Sequence, residues 1–354
     1  MTDGVPWGET SHRFGAAPWW ALGSATVGVL LLGSASLGAV PIDVMDVLGM
    51  LASAAGLPVE ASWTPLEETV LWRLRLPRVA LSALVGAGLS LAGALTQGLF
   101  RNPLAEPGLL GVSAGAGLFA ALAIVAGSSA LSAWLATSTV AMSAFVGGLL
   151  TTVLVAAIAT VDGRPSVTTM LLAGIAVSAL AGAGLGLLLT LADDAQLRSI
   201  TFWMMGSIGG ATWPAVGVAA VGVGLPALVS LRWAPALDAM LLGVTEAQHL
   251  GVDTARVQAG TVAVVAMMVG VCTSLCGVIA FLGLVVPHVA RRIVGPGHRR
   301  LLPLSVLLGA GLLAAADLMS RTVAAPAELP VGLLTTCLGG PFFLVQLLRH
   351  RRHP

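Results

Sequence analysis

Seven stretches without Asp, Glu or Arg, at residues 19–39, 79–100, 107–161, 165–192, 199–231, 257–290 and 329–348, leave this chain few ways to fold. A helix needs about 20 apolar residues to cross the hydrocarbon of a bilayer, and each stretch reaches that length. In water the chain would have little with which to cover a globular surface. Charged residues make up 9% of its 354 positions, against roughly 25% in soluble domains. Lipid is therefore the solvent. Helices, which satisfy their own backbone groups there, are the expected elements.

Some stretches must divide. At ~1.5 Å per residue the 107–161 stretch is too long for one crossing. Gly127-Ser128-Ser129 is its natural break, giving spans near 108–128 and 137–161. The 257–290 stretch divides near Gly277, its second half reaching Val294. The 199–231 stretch is expected as one span bent by Gly209-Gly210, Pro214 and Pro226. A run from 301 to Arg321, interrupted by Asp317, completes a count of ten.

Arginines set the orientation. With the N-terminus in the cytoplasm, 12 of the 17 fall inside, and Arg73, Arg75, Arg78, Arg198 and Arg321 fall outside. An even count returns the C-terminus to the cytoplasm. The expected organisation is an inner tail at 1–18, one membrane domain at 19–348 and an inner tail at 349–354. Residues 1–18 hold Asp3 and Glu9 and lack a basic leader, so the first span is expected to be retained.

There is no lysine; every one of the 17 basic residues counted is Arg. A Walker A loop needs its Lys on the phosphates, which excludes nucleotide hydrolysis by that route. Cys272, Cys276 and Cys337 lie in apolar runs with no His or carboxylate at metal-site spacing, and suit small packing residues.

Four segments outside the spans stand out. Residues 40–78 end in Arg73-Leu-Arg75-Leu-Pro-Arg78, three external charges against the inside bias. They suit carboxylates on an external protein, or lipid headgroups and Glu67 and Glu68. The inner turn from Phe100 to Gly108 carries an Arg101/Glu106 pair. The longest inner loop, 235–256, suits two short amphipathic helices around Gly243 and Gly251. Its polar face is mostly acidic, which favours a protein partner over lipid. Last, His288 precedes Arg291, Arg292, His298, Arg299 and Arg300 near the cytoplasmic end, where a structural role suits it better than proton relay or haem ligation. Asp317 and Arg321 sit at i,i+4 spacing for an ion pair.

Together these segments resemble the permeases of binding-protein-dependent ATP-binding-cassette importers for ferric siderophores, haem and vitamin B12. The stretches that carry the resemblance are RLPR at 75–78, LVGAGLSLAGALTQ at 84–97, RNPLAEPGLLGVSAGAG at 101–117, FWMMGS at 202–207 and LGVTEAQHLGVD at 242–253. Others are FLGLVVPHVAR at 281–291, GPGHRRLLPLS at 295–305, ADLMSR at 316–321 and PAELPVGLLTTCLGGPFF at 326–343.

The resemblance implies an all-α permease of the type II importer architecture, with ten helices per subunit. It implies a homodimer with the pathway on its two-fold axis, two cytoplasmic ATPase subunits and one external binding protein, in the bacterial inner membrane. Leu242, Gly243, Glu246, His249, Leu250, Gly251 and Asp253 would seat in the ATPase. Arg75, Arg78 and Arg321 would receive carboxylates of the binding protein. Thr168, Leu172, Ala176 and Leu180 on the fifth span would line the pathway. The chain would bind no cofactor, since ATP and Mg belong to the partner ATPase. Haem is the favoured cargo, then a ferric siderophore, then cobalamin.

Two other classes compete. An ion-driven secondary transporter needs unpaired carboxylates in mid-membrane, and the chain offers only Asp317 with Arg321 beside it. An intramembrane hydrolase needs a nucleophile elbow on a strand-to-helix turn or a metal motif. The one G-x-S-x-G match, Gly111 to Gly115, lies in a stretch expected to span as a helix, and H-E-x-x-H does not occur.

Overall fold

A computed structural model describes residues 16–38, 40–127, 133–161 and 164–351. Residues 1–15 of the expected inner tail, Ser128 and Ser129 of the expected break, and residues 352–354 lie outside the described residues. The expected spans fall on helices α1 (Ala16–Ser36), α4 (Leu76–Leu99), α5 (Val112–Gly127), α6 (Ala133–Ala159), α7 (Val167–Leu191), α9 (Trp213–Leu242), α11 (Thr254–Cys276), α12 (Leu282–Val294), α13 (His298–Thr322) and α14 (Val331–Arg351). Shorter helices intervene: α2 (Val44–Ala54), α3 (Pro65–Val70), α8 (Asp194–Met205) and α10 (Val244–His249). Among the described residues, six helices are long and apolar enough to cross a membrane by length and composition. Two strands of two residues each, 160–161 and 164–165, form an antiparallel hairpin and are the one departure from an all-α chain among the described residues.

The packing is organised around α4. Some 83% of the most apolar stretch of the helix that contains it is buried, against 22% for α7 and for α9. It meets α13, α12, α11 and α9 on its different sides. Glycine makes two of these crossings possible. A side chain at Gly93 would collide with the Gly283 carbonyl of α12, and one at Gly86 with the Gly309 carbonyl of α13. Without a hydrophobic drive between helices in lipid, such backbone-to-backbone approach supplies the van der Waals attraction. Cys272 and Cys276 are buried where α11 faces the centre, with Cys272 beside Gly88, whereas Cys337 is exposed.

Three expectations are corrected. The 199–231 stretch is not one bent helix. Gly206, at φ 71, ends α8, and Thr212 starts α9 by accepting the Ala215 amide on its hydroxyl. A turn that needs positive φ is where glycine ends a helix, and periodicity alone does not reveal it. The 235–256 loop does not hold two short helices. Helix α9 runs on through Pro226 and Pro235 to Leu242, leaving only α10 as a separate turn. The third correction concerns the end expected outside. The helix that becomes α4 already starts at Pro65 and passes through a wide π-turn, Leu71–Arg75. That turn frees the Trp72 carbonyl, which accepts a 2.9 Å hydrogen bond from the Trp213 indole at the start of α9.

Candidate functional site

Two polar constellations lie at opposite ends of the bundle, with an apolar helix face between them. At the end expected in the cytoplasm, α9, α10 and α11 form a projecting corner. Gly243, at φ 139, ends α9 and lets the chain reverse. Helix α10 then closes through a Schellman motif. The Gly251 amide donates to the Gln248 carbonyl at 2.9 Å and the Val252 amide to the Ala247 carbonyl at 3.0 Å, with Gly251 at φ 83. Asp253 caps α11 by accepting the Arg256 amide at 3.0 Å. Ala247 is the buried anchor. Around it Leu242 and Leu250 are 71% and 67% exposed, and Glu246, His249 and Asp253 also face outward. Two large bare leucines among acids form an exposed apolar patch with a polar rim.

The corner is tied to the bundle behind it. Asp238, one turn before the end of α9, accepts both the backbone amide of His298 (2.7 Å) and its ring Nδ1 (2.6 Å) at the first residue of α13. His298 is fully buried, with its ring against Gly98 of α4. Sequence reasoning grouped His298 with the neighbouring arginines and missed this link, because Asp238 is 60 residues away.

The inner turn after α4 also differs from expectation. No Arg101/Glu106 pair forms. Arg101 is exposed at φ 48, and Glu106 turns inward to accept the Phe281 amide at 3.3 Å, at the start of α12. Burial pushes the Glu106 carboxyl above the usual carboxylate range, and the Phe281 amide opposes this. A carboxylate at a helix N-terminus also meets the positive end of its dipole.

At the opposite end, Arg75, Arg78 and Arg321 are brought together, each with internal partners. Arg75 is buried, 6% exposed. Its guanidinium donates to the carbonyls of Ala35 (2.8 Å), Ser36 (2.6 Å) and Val40. Arg321 donates to the Ser34 carbonyl and hydroxyl, both at 2.6 Å, and to the Leu37 carbonyl at 2.9 Å. Two cations thus cap the C-terminal carbonyls of α1, which the helix itself leaves unpaired. Arg78 donates through Nε to Asp317 (2.9 and 3.2 Å) and through Nη1 to Glu328 at 2.9 Å. Asp317 is fully buried and also lies 3.4 Å from Arg321. The expected Asp317/Arg321 pair is therefore present, with Arg78 as a further and closer partner. Glu328, which sits in the turn after α13, carried no sequence signal as a partner of Arg78. Arg73, one residue past Trp72, is exposed beside this cluster in sequence.

Between the two ends, α7 packs through Ala173, Gly174, Val177 and Ala181 against its neighbours. Thr168, Leu172, Ala176 and Leu180 fall on an exposed side at i,i+4 spacing, with Leu172 at 63% and Leu180 at 73%. No titratable residue occurs in this helix. His288 packs edge-on against Phe342 of α14, ring centroids 5.8 Å apart. Among the described residues no cluster of His, Cys, Asp or Glu could hold a metal ion.

The model of the FecCD transport family matches residues 26–349. The hemin transport system permease protein HmuU of Yersinia pestis is 41% identical over 327 residues, covering 91% of this chain and 93% of that one. The cobalamin import system permease protein BtuC of Halobacterium salinarum is 36% identical, covering 97% and 98%. Among solved structures, a chain described as a metal-chelate type ABC transporter in an inward-facing conformation superposes with a TM-score of 0.81. It is 28% identical and covers 94% of this chain and 99% of its own length. With family motifs, sequence relatives and backbone in agreement over nearly its whole length, the chain belongs to the FecCD transport family.

Proposed function

We propose that this protein is the membrane-spanning permease of an ATP-binding-cassette importer, and that haem is its cargo. It is a transport subunit of the bacterial inner membrane that performs no covalent chemistry and binds no cofactor. ATP and Mg are handled by two separate ATPase subunits on the cytoplasmic side. Ten helices span the membrane with both termini inside, and two copies enclose a pathway on their two-fold axis.

The observation that carries this is the corner at Leu242–Asp253. Its exposed Leu242 and Leu250 and its acidic rim offer a partner an apolar seat, while Asp238 and His298 connect it to the bundle. Closure of the ATPases pushes on this corner. A rigid link is needed to convert that push into a change of helix packing, since two states are exchanged only by something that interacts differently with each. Arg78 marks the external mouth where the binding protein docks, with Arg75 and Arg321 behind it turned onto the carbonyls at the end of α1. The side of α7 that carries Thr168, Leu172, Ala176 and Leu180 lines the route. An apolar, uncharged face suits a flat hydrophobic ring system that must not be trapped.

Haem is placed first because the 41% relative is a hemin permease. Cobalamin is the second reading, favoured by the cobalamin permease that matches 97% of the chain. Competition for uptake in proteoliposomes holding the complete transporter separates them. Labelled haem should be taken up and be suppressed by excess unlabelled haem but not by excess cobalamin, and uptake of labelled cobalamin with the reverse competition reassigns the cargo.

A further inference from the structure

The two carboxylates on Arg78 are unlike. Asp317 is fully buried, grips Nε with both oxygens, and lies within the long packed helix α13. Glu328 is half-exposed, its side chain 50% accessible, and lies in the turn between α13 and α14. It holds Nη1 through one oxygen. No described residue bonds to Nη2 of Arg78, so the outer edge of the guanidinium is half used. A carboxylate that took Nη1 and Nη2 together would form the two parallel bonds that make arginine–carboxylate pairs strong and directional. Arg78 itself is only 13% exposed, so the route to its outer edge runs past the half-exposed Glu328. Gly209 lies over the pair, its missing side chain 3.3 Å from Glu328 Oε2 and 3.9 Å from Arg78 Nη1, and Gly210 has nothing near it.

We propose that Glu328 is a resident competitor for Arg78, occupying the outer edge of its guanidinium until a carboxylate of the external binding protein displaces it. This rests on the reading that Arg78 receives such a carboxylate. Asp317 keeps Arg78 in place throughout, and Glu328 swings into water, where its half-exposed position makes release inexpensive. The competitor shields a partly buried cation while no partner is present. It also sets a threshold that a bidentate carboxylate passes and a stray anion does not.

The experiment measures how tightly the transporter's own purified, cargo-loaded binding protein associates with the complete transporter in nanodiscs. Glu328→Gln keeps a weaker oxygen acceptor on Arg78 and should tighten association roughly two- to fivefold, the range of an exposed ion pair. The gain should shrink with salt less than the control's does, because Arg78 is only 13% exposed and partly buried pairs are screened less than exposed ones. Glu68→Gln, an exposed external carboxylate, is the control for charge alone and should change affinity less, with the difference vanishing in salt. Arg78→Lys keeps the charge without the planar fork and should weaken association. If Arg78→Lys weakens binding while Glu328→Gln leaves it unchanged or weaker, Glu328 supports Arg78 and the proposal is overturned. Equal, salt-sensitive gains in Glu328→Gln and Glu68→Gln overturn it too. If Arg78→Lys binds as the parent does, the docking role of Arg78 falls first, and the proposal with it.

Discussion

Asp238 accepts two hydrogen bonds from the single residue His298, at 2.7 and 2.6 Å, and so joins the inner end of α9 to the first turn of α13. Because His298 is fully buried, losing Asp238 strands two donors, at about 1–3 kcal/mol for each buried unpaired group. Asp238→Ala should therefore lower the melting temperature of the detergent-solubilised protein. It should also raise the ATP hydrolysed per cargo moved in the complete transporter. His298→Ala in the same background should add little, since both changes break one link. Additive losses would show that the two residues act separately.

The corner beyond Asp238 makes a separate prediction. Leu242 and Leu250 are largely bare, and burying a leucine contributes about 1.5–3 kcal/mol. Replacing both with Ser should weaken ATPase association by at least roughly tenfold per residue and leave the melting temperature unchanged. A pull-down of the ATPase subunit checks it, and undiminished retention would remove the corner from the interface.

Helix crossings at α4 set a steric limit. Gly93→Ala puts a methyl group onto the Gly283 carbonyl, whereas Gly182→Ala and Gly186→Ala enter open space on α7. The first should cost about 1–3 kcal/mol as an overpacked contact. The other two should be neutral in the monomer's thermal melt. A further drop in dimer content for Gly182→Ala or Gly186→Ala would locate that side of α7 against a second copy.

Glu106 gives a pH dependence. Burial raises its carboxyl above the ordinary range, so the folded chain holds the proton more tightly than the unfolded one. The stability from this proton is present in acid and is lost as pH rises through the raised value. Glu106→Gln is neutral at every pH and still accepts the Phe281 amide. It should be more thermostable than the parent at neutral pH, with the two curves converging in acid. A constant difference across pH would contradict the burial of an ionised group.

Much of the architecture was legible because lipid imposes simple rules on a sequence. Runs without charge located the helices, and Gly277, at φ 71, ends α11 where a break was expected. Breaks that arise from local backbone conformation were less visible. Gly206 divides a stretch whose composition is uniform, and Pro226 and Pro235, expected to bend or end a helix, lie inside one. A proline interior to a membrane helix is tolerated where neighbours compensate, and the sequence does not say where neighbours are. In the functional constellations, residue types were readable, but pairings across long separations were not. Asp317 was matched with Arg321 by its i,i+4 spacing, while its closer partner Arg78 is 239 residues away. Arg75 was expected at an external surface, and a π-turn no periodicity announces rotates it under α1 instead.

Uphill uptake into proteoliposomes tests the central claim most directly. With this chain, its ATPase subunits and binding protein, labelled cargo should accumulate only when ATP and Mg are present inside the ATPase-bearing compartment. A proton or sodium gradient without ATP should move nothing. Accumulation by this chain alone, driven by an ion gradient and indifferent to the Leu242–Asp253 corner, would contradict the account.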